Sequence, residues 1–280
     1  MKENKSLHFY KMNGLGNEIL IVDLRGQERT LSGLEVKAMA AVPGLHFDQL
    51  MVLNNPRSHG TVSFVIIFNS DGTESSACGN GTRCIGWLEC QKTGQSEMKF
   101  ETKAGLISVF VRDIDHITVD MGEPHFHWRE IPLSEPREDT RAIDFYFDQE
   151  KEPWIHTPSV LNIGNPHAIF WVKNVESCNL AKFGPLLENH PIFPEKANIT
   201  VAEVQSPQKI KIRTWERGVG LTRACGTAAC AAAIAGMRKF SLERTLKVIL
   251  PGGTLEISWT SANRILMTGS VEHEFDGDWP

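Results

Sequence analysis

Two cysteines in this chain, Cys78 and Cys225, each stand one residue ahead of a glycine at what reads as the foot of a helix. The strings are Cys78-Gly79-Asn80-Gly81-Thr82-Arg83-Cys84 and Cys225-Gly226-Thr227-Ala228-Ala229-Cys230. A helix N-terminus offers free N–H groups and the positive end of the helix dipole, and both favour a thiolate. The N–H groups at Gly79-Asn80 and Gly226-Thr227 could also hold a carboxylate that accepts developing negative charge. A thiol and a thiolate on opposite faces of one carbon can exchange roles, one removing a proton while the other returns it. That chemistry would invert an amino-acid stereocentre without pyridoxal phosphate. Nearby, Arg217 offers a planar fork for a carboxylate and Glu216 an anionic partner for an ammonium group.

Two plainer readings compete. The cysteines could merely pack, but thiols at helix N-termini are rarely inert. Structural zinc usually needs ligand pairs two to four residues apart. Here Cys78, Cys84 and Cys90 are six apart, and six helical residues turn through about 600°, scattering the side chains around the axis. No metal site is therefore expected. Cys84, Cys90, Cys178 and Cys230 read as small buried hydrophobes.

The chain repeats around its two cysteines at an offset of 225 − 78 = 147 residues. Asn69 and Glu216 each lie nine residues ahead of their cysteine (78 − 69 and 225 − 216). Gly16-Asn17 answers Gly164-Asn165 at 148, and Gln49 answers Asn198 at 149. Ala104-Gly105 answers Gly252-Gly253, and Ile117 answers Ile265, both at 148. So long a period excludes a solenoid and implies two domain-sized copies of one architecture.

The elements repeat in the same order. In the first half, strands are expected over 7–13, 19–22, 49–53, 61–68, 97–102, 106–112 and 116–121, punctuated by Gly, Asn and Pro. A short helix is expected over 33–42, with Leu34, Ala38 and Val42 at helical spacing and a stop at Pro43-Gly44. A second helix should begin near Gly79 and run from Thr82 to Gln91. Residues 123–153 are rich in proline and charge and read as a solvated connector with one strand, Ala142 to Phe147. In the second half, strands are expected over 159–163, 167–172, 199–204, 209–216, 245–250, 254–259 and 264–270, and helices over Asn179–Asn189 and Gly226–Lys239. The run Ala228 to Ala235 would let the last helix thread a sheet that wraps around it. The class is α+β: two pseudo-symmetric domains, each a sheet around a central helix, with the site in the cleft between them. The expected division is 1–122 and 123–267, with the tail from about 268 to 280 packing on the first domain.

At 280 residues the chain accommodates two ordinary cores. A net charge of −5 and the lack of a Lys/Arg cluster argue against nucleic acid. The apolar run Val62–Phe68 is too short to span a bilayer. Met1-Lys2-Glu3-Asn4-Lys5 carries no apolar signal core, so the expected location is the cytoplasm, with the six cysteines reduced.

The motifs together resemble the diaminopimelate epimerase family. The resemblance runs from Lys11-Met12-Asn13-Gly14-Leu15-Gly16-Asn17, through Phe68-Asn69-Ser70-Asp71-Gly72 and the Cys78 string, to Gly164-Asn165-Pro166-His167. It continues with Trp215-Glu216-Arg217-Gly218 and Thr222-Arg223-Ala224-Cys225-Gly226-Thr227. It implies epimerisation of LL-2,6-diaminopimelate to the meso form, with Cys78 and Cys225 catalytic, no cofactor, a small-molecule substrate and a homodimer. It also implies a substrate shell of Asn17, Gln49, Asn69, Asn165, Asn198, Glu216 and Arg217, with His167 and Glu216 assisting proton movement. Arg217 would take the distal carboxylate. Capping of turns is the bland reading of Asn69 and Asn165. Two positions depart from the family pattern. Gly44-Leu45-His46-Phe47-Asp48-Gln49 places bulky His46 and Phe47 where a Gly-rich mobile loop is usual, and Glu18 stands where Asp is usual. The chief rival is a proline or hydroxyproline racemase of the same fold. That family typically has His where this chain has Asn80, and its small substrate has no second end for Arg217. A catalytically dead binding protein of this fold is a further rival, opposed by the presence of both thiols.

Overall fold

The computed structural model describes residues 6–147 and 152–280. Met1–Lys5, on which the reading of no export signal rests, and residues 148–151 of the connector lie outside the described residues. The chain divides into two compact units: Met1–Asp120 with Thr268–Pro280, and Met121–Met267. Among the described residues no helix is long and apolar enough to cross a membrane.

The first unit contains β1 (Leu7–Asn13), β2 (Glu18–Asp23), α1 (Gly33–Ala40), β3 (Gln49–Asn54), β4 (Ser63–Asn69), β5 (Glu74–Ser75), α2 (Gly79–Thr93), β6 (Glu97–Thr102), β7 (Gly105–Asp113) and β8 (His116–Asp120). β1 runs antiparallel to β2, β2 parallel to β3, and β3 antiparallel to β4. β4 then pairs in parallel with β6, and β6, β7 and β8 follow as an antiparallel meander. β2 and β3 are buried throughout their centres because both sheet faces are covered. On one face Leu20, Val22, Leu50 and Val52 pack with Val36, Met39 and Phe47. α2 packs against β2, β3, β7 and β8. Its approach to β7 depends on Gly86, where a Cβ would lie 2.5 Å from a Val109 methyl.

The second unit contains β9 (Ser159–Asn162), β10 (Pro166–Trp171), α3 (Leu180–Glu188), β11 (Asn198–Ser206), β12 (Lys209–Glu216), β13 (Gly220–Thr222), α4 (Gly226–Phe240), β14 (Thr245–Leu250) and β15 (Gly253–Trp259), and β16 (Ile265–Gly269) begins in it and ends in the first. Its pairings copy those of the first unit. β9 is antiparallel to β10, β10 parallel to β11, β11 antiparallel to β12, β12 parallel to β14, and β14 antiparallel to β15. The register repeats as well. Ile19 faces Gln49 in the first unit as His167 faces Asn198 in the second. α4 touches β9, β10, β11, β12, β14 and β15, and every residue from Ala228 to Met237 is buried. A helix apolar all round belongs inside a fold, and its alanines let the strands come close. A final strand, β17 (Glu272–Trp279), belongs to the first unit and runs antiparallel along β1.

Three expectations are corrected. Residues 142–147 form no strand. The connector is not simply solvated, since Ile131, Leu133 and Ile143, with Trp154 just beyond it, enter the second unit's core against Phe170, Phe183 and Leu187. These apolar residues are isolated among charges, so no periodicity announced them. α1 buries Val36 and Met39 and leaves Leu34 83% exposed. Its phase is fixed by a capping box: Glu35 N–H donates to Ser32 Oγ at 3.3 Å and Ser32 N–H to Glu35 Oε2 at 2.9 Å. The strands β5, β13 and β17 went unread, the first two because they are so short.

Candidate active site

In the first unit the Gly14–Asn17 turn and the foot of α2 meet. Gly14 N–H donates to the Asn17 carbonyl at 2.9 Å and Gly16 N–H to Asn13 Oδ1 at 2.6 Å, which fixes the turn. Asp48 holds the Asn17 side chain through Nδ2 at 2.9 Å and also accepts from Glu18 N–H at 2.8 Å. Asn17 Oδ1 then lies 3.3 Å from Asn80 Nδ2 and 3.9 Å from Cys78 Sγ. Cys78 is the N-cap of α2, and its sulfur accepts the Gly81 N–H at 3.1 Å. Gln49 and Asn69 face each other across β3 and β4, with Gln49 Nε2 donating to Asn69 Oδ1 at 3.2 Å. Asn69 also serves its turn, donating through Nδ2 to Thr73 Oγ1 at 3.0 Å. The bland and functional readings of Asn69 therefore coexist. Asp48 was overlooked as a site residue, although it directly precedes Gln49 in the sequence.

In the second unit Glu216 and Thr227 adjoin Cys225, while Asn165, His167, Asn198 and Arg217 are linked among themselves. This cysteine is the N-cap of α4, its sulfur lies 3.5 Å from Thr227 Oγ1, and the Ala228 N–H favours its thiolate. Burial pushes the Cys225 thiol well above the ordinary range, and the neighbouring Glu216 carboxylate pushes it further. The expected thiolate-favouring effect of the helix terminus is thus outweighed here. His167 is fully buried, and its Nε2 lies 2.8 Å from Asn165 Oδ1, which assigns the proton to Nε2. Burial, aided by the charge of Arg217, lowers its pKa to about 3, so it is a neutral imidazole near neutral pH. Asn198 Nδ2 donates to the Pro166 carbonyl at 3.1 Å, and its Oδ1 accepts the Arg217 N–H at 3.0 Å. The Arg217 guanidinium donates to the Glu195 carbonyl at 2.8 Å.

The remaining cysteines behave as expected with one exception. Cys84, Cys178 and Cys230 are buried, and burial lifts Cys84 to about 12 against the opposing charge of Arg83. Cys90 is only half-buried. Phe47 is fully buried in the first unit's core, whereas His46 is exposed. Glu18 is engaged by the buried Lys11 ammonium at 2.7 Å.

Residues 9–127 and 159–274 match the family described as diaminopimelate epimerase. The chain belongs to that family. Diaminopimelate epimerases of Afipia carboxidovorans and Brucella anthropi are 51% and 49% identical to it over 96% of this chain, covering 93% and 90% of theirs. One from Rhodopseudomonas palustris is 50% identical over 99% of this chain and 96% of its own. Among solved structures, a phenazine biosynthesis protein of the PhzF family from Enterococcus faecalis superposes with a TM-score of 0.71 at 15% identity, over 99% of this chain and 100% of that one. A hydroxyproline epimerase from Agrobacterium vitis gives 0.69 at 14%, over 99% and 92%. Those two likenesses establish the fold, an α+β architecture of two domains. The family assignment makes this chain an isomerase, and diaminopimelate epimerase relatives at about half identity outweigh the racemase reading.

Proposed function

We infer that this chain epimerises LL-2,6-diaminopimelate to the meso form, with Cys78 and Cys225 as the two proton-transfer groups. The observation that carries the mechanism is the difference between the two thiol environments. Cys78 Sγ accepts the Gly81 N–H at the foot of α2, whereas burial first and then Glu216 hold the Cys225 thiol protonated, against the opposing hydrogen bonds of Thr227 and the Ala228 N–H. In the forward step a Cys78 thiolate takes the α-proton, and the electron pair passes to the substrate α-carboxylate. Helix N–H groups at Gly79-Asn80 and Gly226-Thr227 are suited to hold that carboxylate. Cys225 S–H then delivers its proton to the opposite face of the carbon. The product has inverted configuration, Cys78 ends as the thiol, and Cys225 ends as the thiolate beside Glu216.

Asn17, Gln49, Asn69, Asn80, Asn165, Asn198, Glu216 and Arg217 form the proposed substrate shell. His167 contributes as a neutral hydrogen-bonding group. The division into domains at about 122, joining of the units around a shared site, the homodimer and the cytoplasmic setting belong to the same reading. Support for a two-unit site comes from the register that repeats element by element. The test is deuterium uptake from heavy water. Diaminopimelate should gain deuterium at its α-carbon and proline should not. No exchange into diaminopimelate would end this reading, and exchange into proline alone would favour the racemase.

A further inference from the structure

The turn that carries Glu216 and Arg217 is gripped from outside the proposed substrate shell. It closes the β12–β13 hairpin, with Val219 N–H donating to the Glu216 carbonyl at 3.1 Å and Gly218 at φ +75°. Glu188, the last residue of α3, is only 5% exposed. Its Oε2 accepts Trp215 Nε1–H at 2.8 Å, and its Oε1 accepts Gly218 N–H at 3.1 Å. One carboxylate therefore holds the residues immediately before and after the Glu216–Arg217 pair. The nearest paired cation is Lys196, whose Nζ lies 3.8 Å from Oε1 and which is itself 54% exposed. A buried carboxylate with so distant and so exposed a partner must be offset by its hydrogen bonds. α3 also presses on Trp215 directly, since a Cβ on Gly184 would come within 2.5 Å of the indole.

We propose that Glu188 is a positioning residue for the reaction, holding the Glu216 carboxylate against Cys225 and the Arg217 side chain at its station. It touches neither sulfur and takes no proton; it acts through the hairpin turn. The proposal rests on the reading of Glu216 and Arg217 as site residues. Its consequence is that loosening Glu188 frees Glu216 from Cys225 without altering either residue.

The experiment is Glu188→Gln in the full chain. The substitution keeps the shape, but an amide cannot accept both N–H groups as the carboxylate does. Circular dichroism and thermal melting first establish that the variant folds. Alkylation of the Cys225 peptide by iodoacetamide, followed by mass spectrometry from pH 7 to 10, should then be faster than in the parent at each pH. The KM for diaminopimelate should rise about tenfold or more, the loss expected when a hydrogen bond to a charged group is removed. In a Glu216→Gln background the same substitution should add nothing to the labelling rate. If Glu188→Gln fails to fold, Trp215→Phe removes one of the two bonds and should give part of the labelling change. Parent-like labelling of Cys225 in the folded variant, or an undiminished further change in the Glu216→Gln background, would overturn the proposal. Because the labelling needs no substrate, a parent protein that failed to epimerise diaminopimelate would defeat the functional reading and leave this test standing.

Discussion

Cys225 keeps its proton because burial, and then the adjacent Glu216 carboxylate, push the thiol well above its ordinary range. The sign of the Glu216 effect is open to direct measurement. An anion beside a thiol opposes formation of the thiolate, so Glu216→Gln should lower the Cys225 pKa and speed its alkylation near pH 8. Peptide-resolved labelling rates check this. Unchanged labelling would show that Glu216 does not set the protonation of Cys225.

His167 gives the second unit an acid-sensitive point. Its folded pKa of about 3 lies below the unfolded value of about 6.5. A depressed folded pKa contributes stability that is present above the unfolded value and lost as pH falls towards the folded one. The slope approaches about 1.4 kcal/mol per pH unit once the unfolded imidazole is protonated. Urea denaturation at pH 7 and pH 5, above the range in which most carboxylates protonate, should show this loss. His167→Asn should flatten the dependence; an equally steep one would place the acid sensitivity elsewhere.

Arg217 is half-buried, and its guanidinium already donates to the Glu195 carbonyl. A substrate carboxylate would use the donors that remain, in the planar fork a lysine lacks. Arg217→Lys should therefore cost about 1.5–3 kcal/mol, the range for hydrogen bonds to charged groups. The loss should fall mainly on KM for diaminopimelate if, as proposed, Arg217 takes the carboxylate distal to the reacting carbon. A KM like the parent's, with a lowered kcat, would remove Arg217 from distal recognition.

The unusual His46-Phe47 pair separates into two roles. Phe47 is fully buried with Leu20, Val22, Val36 and Leu50, so it is core. Phe47→Ala should destabilise the first unit by about 3–5 kcal/mol, as for other buried aromatic truncations. His46 is exposed, and His46→Gly should leave stability within about 0.5 kcal/mol, the usual range for surface changes. Thermal and urea unfolding of both variants distinguish core from lid. A mild Phe47→Ala would return that residue to the loop.

The repeat in the sequence was legible because it is written in the sheet register. Gln49 faces Asn69 across β3 and β4. Asn198 and Glu216 come next after the Ile199–Trp215 pair of β11 and β12. The two cysteine strings marked both helix starts because a helix N-terminus has a local residue signature. Contacts made at a distance left no such trace. Glu188 meets Trp215 and Gly218 only after α3 packs on the hairpin. The core positions Ile131, Leu133, Ile143 and Trp154 lack any period. The face of α1 was misread because Leu34, Ala38 and Val42 suggest one stripe, while the Ser32–Glu35 capping box turns Val36 and Met39 inward.

In the proposed mechanism two thiols act on one carbon from opposite faces. Cys78→Ala and Cys225→Ala, each with unchanged circular dichroism, should be assayed for epimerisation and for α-deuterium incorporation from both diaminopimelate isomers in heavy water. Each variant should lose net epimerisation, because one face has lost its proton carrier. A single remaining thiol could at most exchange the isomer whose α-proton it faces, returning deuterium with retained configuration. Substantial epimerisation by either alanine variant would rule out a two-thiol mechanism.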